Sequence, residues 1–145
     1  MEAVKVVGME QISQMLLHLG TLAIFEERYG GVEEFFEHPV RVGFFARGLA
    51  QKNEREHLAD HAFVAGLLHD IGKVVLLSTI DERAELEELS KDRDLLSRTR
   101  LEELSCGASH ALIGALLARK WNFPDILFQA IEKHHTPTLA PKGFE

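Results

Sequence analysis

The segment AFVAGLLHDIGKVVLL, residues 62–77, holds thirteen apolar or glycine residues and three ionisable ones, His69, Asp70 and Lys73. Leaving even a neutral polar group buried without a partner costs roughly 2–7 kcal/mol, and an unpaired charge costs more. Something must offset that cost. On a helix, Lys73 lies four residues after His69 and three after Asp70, so the three share one face. One solution is a local Asp70–Lys73 ion pair with His69 at the surface. The other is that His69 and Asp70 ligate a metal ion, which replaces lost water with stronger ligation.

Five more histidines and two in tandem bear on that choice: His18, His38, His57, His61, His110, His134 and His135. His110 falls in the first turn of a helical stretch whose same face carries Ile113, Gly114, Leu117 and Trp121, so it is expected to point into the core. His134 and His135 end a helix after the apolar positions Leu127, Ala130 and Ile131. His38 sits before Pro39 within EFFEHPVRVGFFA. Each alone reads more readily as a structural histidine, satisfied in the core or at the surface. Four separate helices offering imidazole beside their buried faces point instead to a shared site. Imidazole with carboxylate suits Zn, Fe, Mn or Ni, and there are donors enough for one or two ions. Two ions about 3.5–4 Å apart can activate water and steady a leaving phosphate oxygen. His18, His57 and His61 are read as structural, in an amphipathic helix, a charged turn and a helix start.

The elements that must carry these residues read as helices throughout. From Met9 to about Glu27, Ile12, Met15, Leu16, Leu19, Ala23 and Ile24 follow the spacing of one buried face. Gly30-Gly31 breaks the chain. A second helix is expected over about 32–51, with Pro39 kinking it or marking a fresh start. KNEREH is a turn, and Asp60 is the expected cap of a single helix running to about Leu77. Asp81–Leu104 has fourteen ionisable residues in twenty-four and reads as one or two solvated surface helices. CGAS is a break, with Ser109 capping a helix to about Trp121. NFP is a turn with Pro124 at a helix start. The last helix should run to His135, ended by TPTLAP. No segment alternates with period two. The fold class is therefore all-α, a bundle of five to seven helices.

Composition bounds the function. The chain has 145 residues, 46% of them hydrophobic, enough for one domain with a real core. Its formal charge of −7 argues against wrapping a nucleic-acid backbone or binding an anionic membrane surface. Glu2 and Lys5 interrupt the amino end, so no signal peptide is expected, and no uncharged apolar run approaches a membrane span. The single Cys106 excludes an internal disulfide framework, and the expected compartment is a reducing cytoplasm.

His38, the adjacent His69-Asp70 and the later helical histidines together resemble the HD superfamily of metal-dependent phosphohydrolases. The finer resemblance is to its HDOD branch, the HD-related output domain of bacterial signalling proteins. It is carried by AFVAGLLHDIGKVVLL and by SHALIGALLARKWNFPDILFQAIEKHH, with AVKVVGMEQISQMLLHLG similar to a helix that precedes the HD part. The resemblance implies an HD-domain-like bundle over 1–145. It places His38, His69, Asp70, His110, His134 and His135 at ligand positions, and Lys73 near substrate phosphate. Glu103, seven residues before His110, is a further candidate ligand. Two departures stand out. No aspartate follows His135, where HD hydrolases close the shell from a later helix. The Gly-Tyr-Pro element of the HD-GYP phosphodiesterases is missing from HHTPTLAPKGFE. The usual helical part ahead of the HD region and the closing helices after it are also expected to be absent, as in a fragment.

The expected function is thus a bacterial signalling output domain that binds a divalent metal. Its expected partners are signalling proteins or other domains of the same pathway, with a homodimer open. The alternative is a phosphohydrolase or phosphodiesterase acting on a nucleotide or cyclic dinucleotide, with Asp70 and Lys73 as its catalytic residues. A plain helical adaptor is the third reading.

Overall fold

The computed structural model describes residues 33–79 and 95–142. The expected helix over 9–27 and most of the charged stretch before residue 95 lie outside the described residues. Six helices position the site: α1 (Glu33–Lys52), α2 (Ala59–Leu68), α3 (Ile71–Thr79), α4 (Leu95–Cys106), α5 (His110–Lys120) and α6 (Asp125–Lys133). Short 3-10 turns, Glu56–Leu58 and Pro137–Leu139, precede α2 and follow α6. Among the described residues there is no strand, and the all-α expectation holds.

The core is built by α2, α5 and α6. Val64 and Leu68 of α2 meet Ala115 and Ala118 of α5 and Leu127, Phe128 and Ile131 of α6, with Trp121 and Phe123 closing the α5–α6 turn. Leu127 and Ile131 are fully buried as their spacing predicts, whereas Ala130 faces outward and Phe128 takes the third inner place. The α5–α6 turn needs a left-handed residue, and Asn122 supplies it at φ 55°.

Three expectations about the elements are corrected. Helix α1 runs unbroken through Pro39, so the ring costs one backbone hydrogen bond without starting a new element. Asp60 does not cap α2: the N-cap is Leu58, without a side-chain bond. Asp60 instead pairs with Arg47 of α1 at 3.0 Å, tying the two helices together. The expected single helix over residues 60–77 is two, α2 and α3, separated by a turn at His69-Asp70. There the Lys73 N–H donates to the Asp70 carbonyl, three residues back, at 2.9 Å.

A close backbone crossing follows that turn. A Cβ built on Gly72 would lie 2.0 Å from the His110 carbonyl oxygen and 2.7 Å from the Gly114 nitrogen. Helices α3 and α5 therefore touch backbone to backbone, which only glycine permits. The crossing brings the start of α3 against the first turn of α5, and so Asp70 against His110.

Candidate metal centre

Two histidines occupy the same local niche. His69 is the C-cap residue of α2 and His134 that of α6. Helix ends leave carbonyls without intrahelical partners. Each ring turns back to satisfy one: His69 Nδ1–H donates to the Gly66 carbonyl at 2.8 Å, and His134 Nδ1–H to that of Ile131 at 2.8 Å. A carbonyl can only accept, so the proton sits on Nδ1 and the lone pair is left on Nε2. Both Nε2 atoms face Asp70, at 3.2 Å from Oδ2 and 3.7 Å from Oδ1 respectively.

His110 reaches the same carboxylate from α5. Ser109 caps that helix, its Oγ accepting from Leu112 N–H at 3.4 Å. The His110 ring is 2% exposed, and its Nε2 lies 3.3 Å from Asp70 Oδ1. It also lies 3.3 Å from His134 Nε2 and 2.9 Å from His135 Nε2. Asp70 Oδ1, Nε2 of His110 and ligand atoms of His134 and His135 thus converge on one point, all within 4.8 Å of one another. On the other side of the carboxylate, His38, His69 and Asp70 form a second group of three. There His38 Nε2 stands 3.9 Å from Asp70 Oδ2, its side chain 58% exposed. Lys73 Nζ donates to the same Oδ2 at 2.7 Å. The ion pair therefore forms, yet His69 is turned into the site rather than left at the surface.

The inner group fits a cation by its own chemistry. Asp70 Oδ1 is buried and accepts no hydrogen bond. Neutral Nε2 atoms with their protons on Nδ1 are acceptors too, so the cluster packs acceptor against acceptor. A proton on His110 satisfies one of these contacts; a metal ion satisfies four at once. Tetrahedral Zn²⁺ with bonds of about 2.0–2.1 Å separates its donors by about 3.3 Å, close to the spacings found. Burial alone would raise the Asp70 carboxyl, but His110, His69 and the Lys73 ammonium hold it well below the usual carboxylate range. Burial pushes His134 down to about 4, aided by the nearby charges of His135, His69 and His110 and opposed by its bond to Ile131. His135 is lowered too, by burial and by His110. His110 moves the other way: burial would lower it, but the carboxylates of Asp70 and Glu102 raise it.

Every residue expected at the site is brought to it: His38, His69, Asp70, Lys73, His110, His134 and His135. Glu103 is not, being exposed on α4. Its neighbour Glu102 is the carboxylate that arrives, accepting from His110 Nδ1–H at 2.7 Å and from the His110 backbone N–H at 2.8 Å. The available signal was Gly107, which takes φ 78° and ends α4 with its N–H on the Glu103 carbonyl at 2.9 Å. That reversal folds the last turns of α4 back over the first turn of α5.

Comparison with known proteins points to a family. The model of the HDOD domain family matches residues 1–137. An uncharacterized protein of Treponema pallidum (strain Nichols) is 30% identical over 145 residues, covering 99% of this chain and 28% of that protein. A crystal structure described as "Putative phosphohydrolase from Shewanella amazonensis SB2B" superposes with a TM-score of 0.64 at 27% identity. It covers 95% of this chain, which spans 51% of that one.

Proposed function

We propose, from the premise that this chain belongs to the HDOD domain family, that it is a bacterial signalling output domain whose polar pocket holds a divalent metal ion. Asp70, His110, His134 and His135 would hold the ion, with His69 and His38 at the rim. The observation that carries this reading is the buried, unbonded Asp70 Oδ1 facing convergent Nε2 atoms of neighbouring imidazoles. Three nitrogens and one oxygen suit Zn, Fe, Mn or Ni. Elemental analysis of protein purified after growth with these metals supplied tests it. About one ion per chain is expected, and none in the Asp70→Ala variant. A folded parent protein free of metal would overturn it.

A second reading, phosphohydrolysis of a nucleotide or cyclic dinucleotide, draws support from the structural neighbour's description and from Lys73. A divalent ion supplies Lewis acidity toward water and a phosphoryl oxygen. Lys73, half-buried beside Asp70, would meet phosphate charge, and Asp70 would orient the ion. A screen over phosphomonoesters, nucleotides and cyclic dinucleotides separates the readings. Turnover lost in His69→Ala and Asp70→Ala with the fold intact supports hydrolysis. Partners would be other signalling proteins or further domains of a longer chain. A homodimer would draw on Phe44, Phe45 and Leu49, exposed on α1. Among the described residues no helix is long and apolar enough to cross a membrane.

A further inference from the structure

His110 is the one imidazole in the cluster tied down by a carboxylate rather than by its own helix end. Glu102 Oε2 accepts from two donors of that one residue, the ring Nδ1–H at 2.7 Å and the backbone N–H at 2.8 Å. Oε1 also lies 2.9 Å from Nδ1. The backbone N–H belongs to the first residue of α5, one of the donors a helix leaves without a partner, and an acid is favoured at that end of the helix. Holding both donors with one group fixes the side-chain torsion and the tautomer together. Nδ1 must carry the proton, and the Nε2 lone pair must face Asp70, His134 and His135. The grip also spans two elements, since Glu102 is on α4 and reaches His110 across the Gly107 turn.

We propose that Glu102 is the positioning residue of the metal centre: it sets His110 to present Nε2 to the ion, and so couples the docking of α4 to occupancy of the site. The metal half of this inference rests on the function proposed above; the positioning half does not. Partners of this kind, one step behind a metal-bound histidine, typically contribute 10–100-fold to affinity. Coupling is reciprocal, so an ion that binds better with α4 docked also holds α4 in place.

The test uses the full chain with Glu102→Gln, Glu102→Ala and the exposed control Glu103→Gln. Zinc affinity is read by competition with a chromophoric chelator. Glu102→Ala should weaken it by about 10–100-fold, with Glu102→Gln in between, because its amide oxygen accepts without charge. Glu103→Gln should leave it unchanged. The cobalt-substituted spectrum should shift in the two Glu102 variants only. Affinity equal to the parent's in both Glu102 variants, with helicity retained, overturns the proposal. Should Glu102→Ala fail to fold, the near-isosteric Gln variant decides. A readout without metal separates the two claims: ring ¹⁵N resonances of His110 in alkaline solution. The parent should hold its proton on Nδ1, and Glu102→Ala should populate both tautomers. An unchanged tautomer there sinks Glu102's role, whereas a parent that binds no zinc sinks the metal reading alone.

Discussion

Asp70 divides its pocket into two unlike halves. On the Oδ1 side, His110, His134 and His135 close around it, with His110 2% exposed and the His110 and His134 rings pinned through Nδ1. On the Oδ2 side, His69 is anchored to Gly66, but His38 stands 58% exposed at 3.9 Å, and Lys73 already places an ammonium on the oxygen at 2.7 Å. Among the described residues no ammonium pairs with the inner oxygen, which accepts no hydrogen bond. The outer half has one built in. Preorganised donors lose little freedom on binding, whereas loose ones must be ordered first. The prediction from that contrast is one strong ion position beside one weak, lysine-occupied position.

The largest effect should come from breaking what both halves share. Gly72→Ala drives a Cβ into the His110 carbonyl, so α3 and α5 must separate. Overpacking of this kind costs about 1–3 kcal/mol, occasionally more. Thermal unfolding should show the loss, and metal affinity should fall with it. His110→Ala removes the central inner ligand and should weaken zinc binding beyond the ~10–100-fold expected of an outer partner. Lys73→Met should sharpen the contrast from the other side. With the ammonium gone from Oδ2, the ion count should rise from one toward two at high metal concentration, and an unchanged count would show that Lys73 does not guard the outer position.

A smaller effect concerns pH. In the metal-free protein His110 is raised above its ordinary 6.5, so near that pH an incoming ion must displace its proton. His134, pushed down to about 4, is neutral there, its Nε2 free of a proton. Affinity should therefore climb as pH rises through 6.5 and beyond, with proton release measurable by calorimetry in buffers of different ionisation enthalpy. For the metal-free fold the two rings act oppositely. His110 contributes stability that is present below 6.5 and lost as pH rises through its raised value. His134 makes the fold lose stability as pH falls from 6.5 toward about 4. The smallest effect should be His38→Ala, which ought to change affinity for the first ion by less than about tenfold, or ~1.4 kcal/mol.

The site was more legible than the elements that hold it. His110 could be placed in the core because the face running to Trp121 is apolar, and Ser109 and Pro124 marked helix starts correctly. The His69-Asp70 turn was hidden. Apolar residues continue across it without a break, and His69 keeps helical angles, φ −54° and ψ −36°. Just past the turn Gly72 crosses His110, thirty-eight residues further along, a contact no local pattern records. Glu102 was missed for a related reason. In a stretch so rich in charge, Glu102 and Glu103 are indistinguishable until the Gly107 reversal decides which one faces α5.

Anomalous diffraction at the absorption edge of a metal loaded into crystals of the full chain reaches the heart of the matter. One peak is expected, bounded by Asp70 Oδ1 and the Nε2 atoms of His110, His134 and His135. A metal-loaded crystal with no peak there, or with its only peak between His38 and His69, would contradict the assignment of the inner half as the ion's seat.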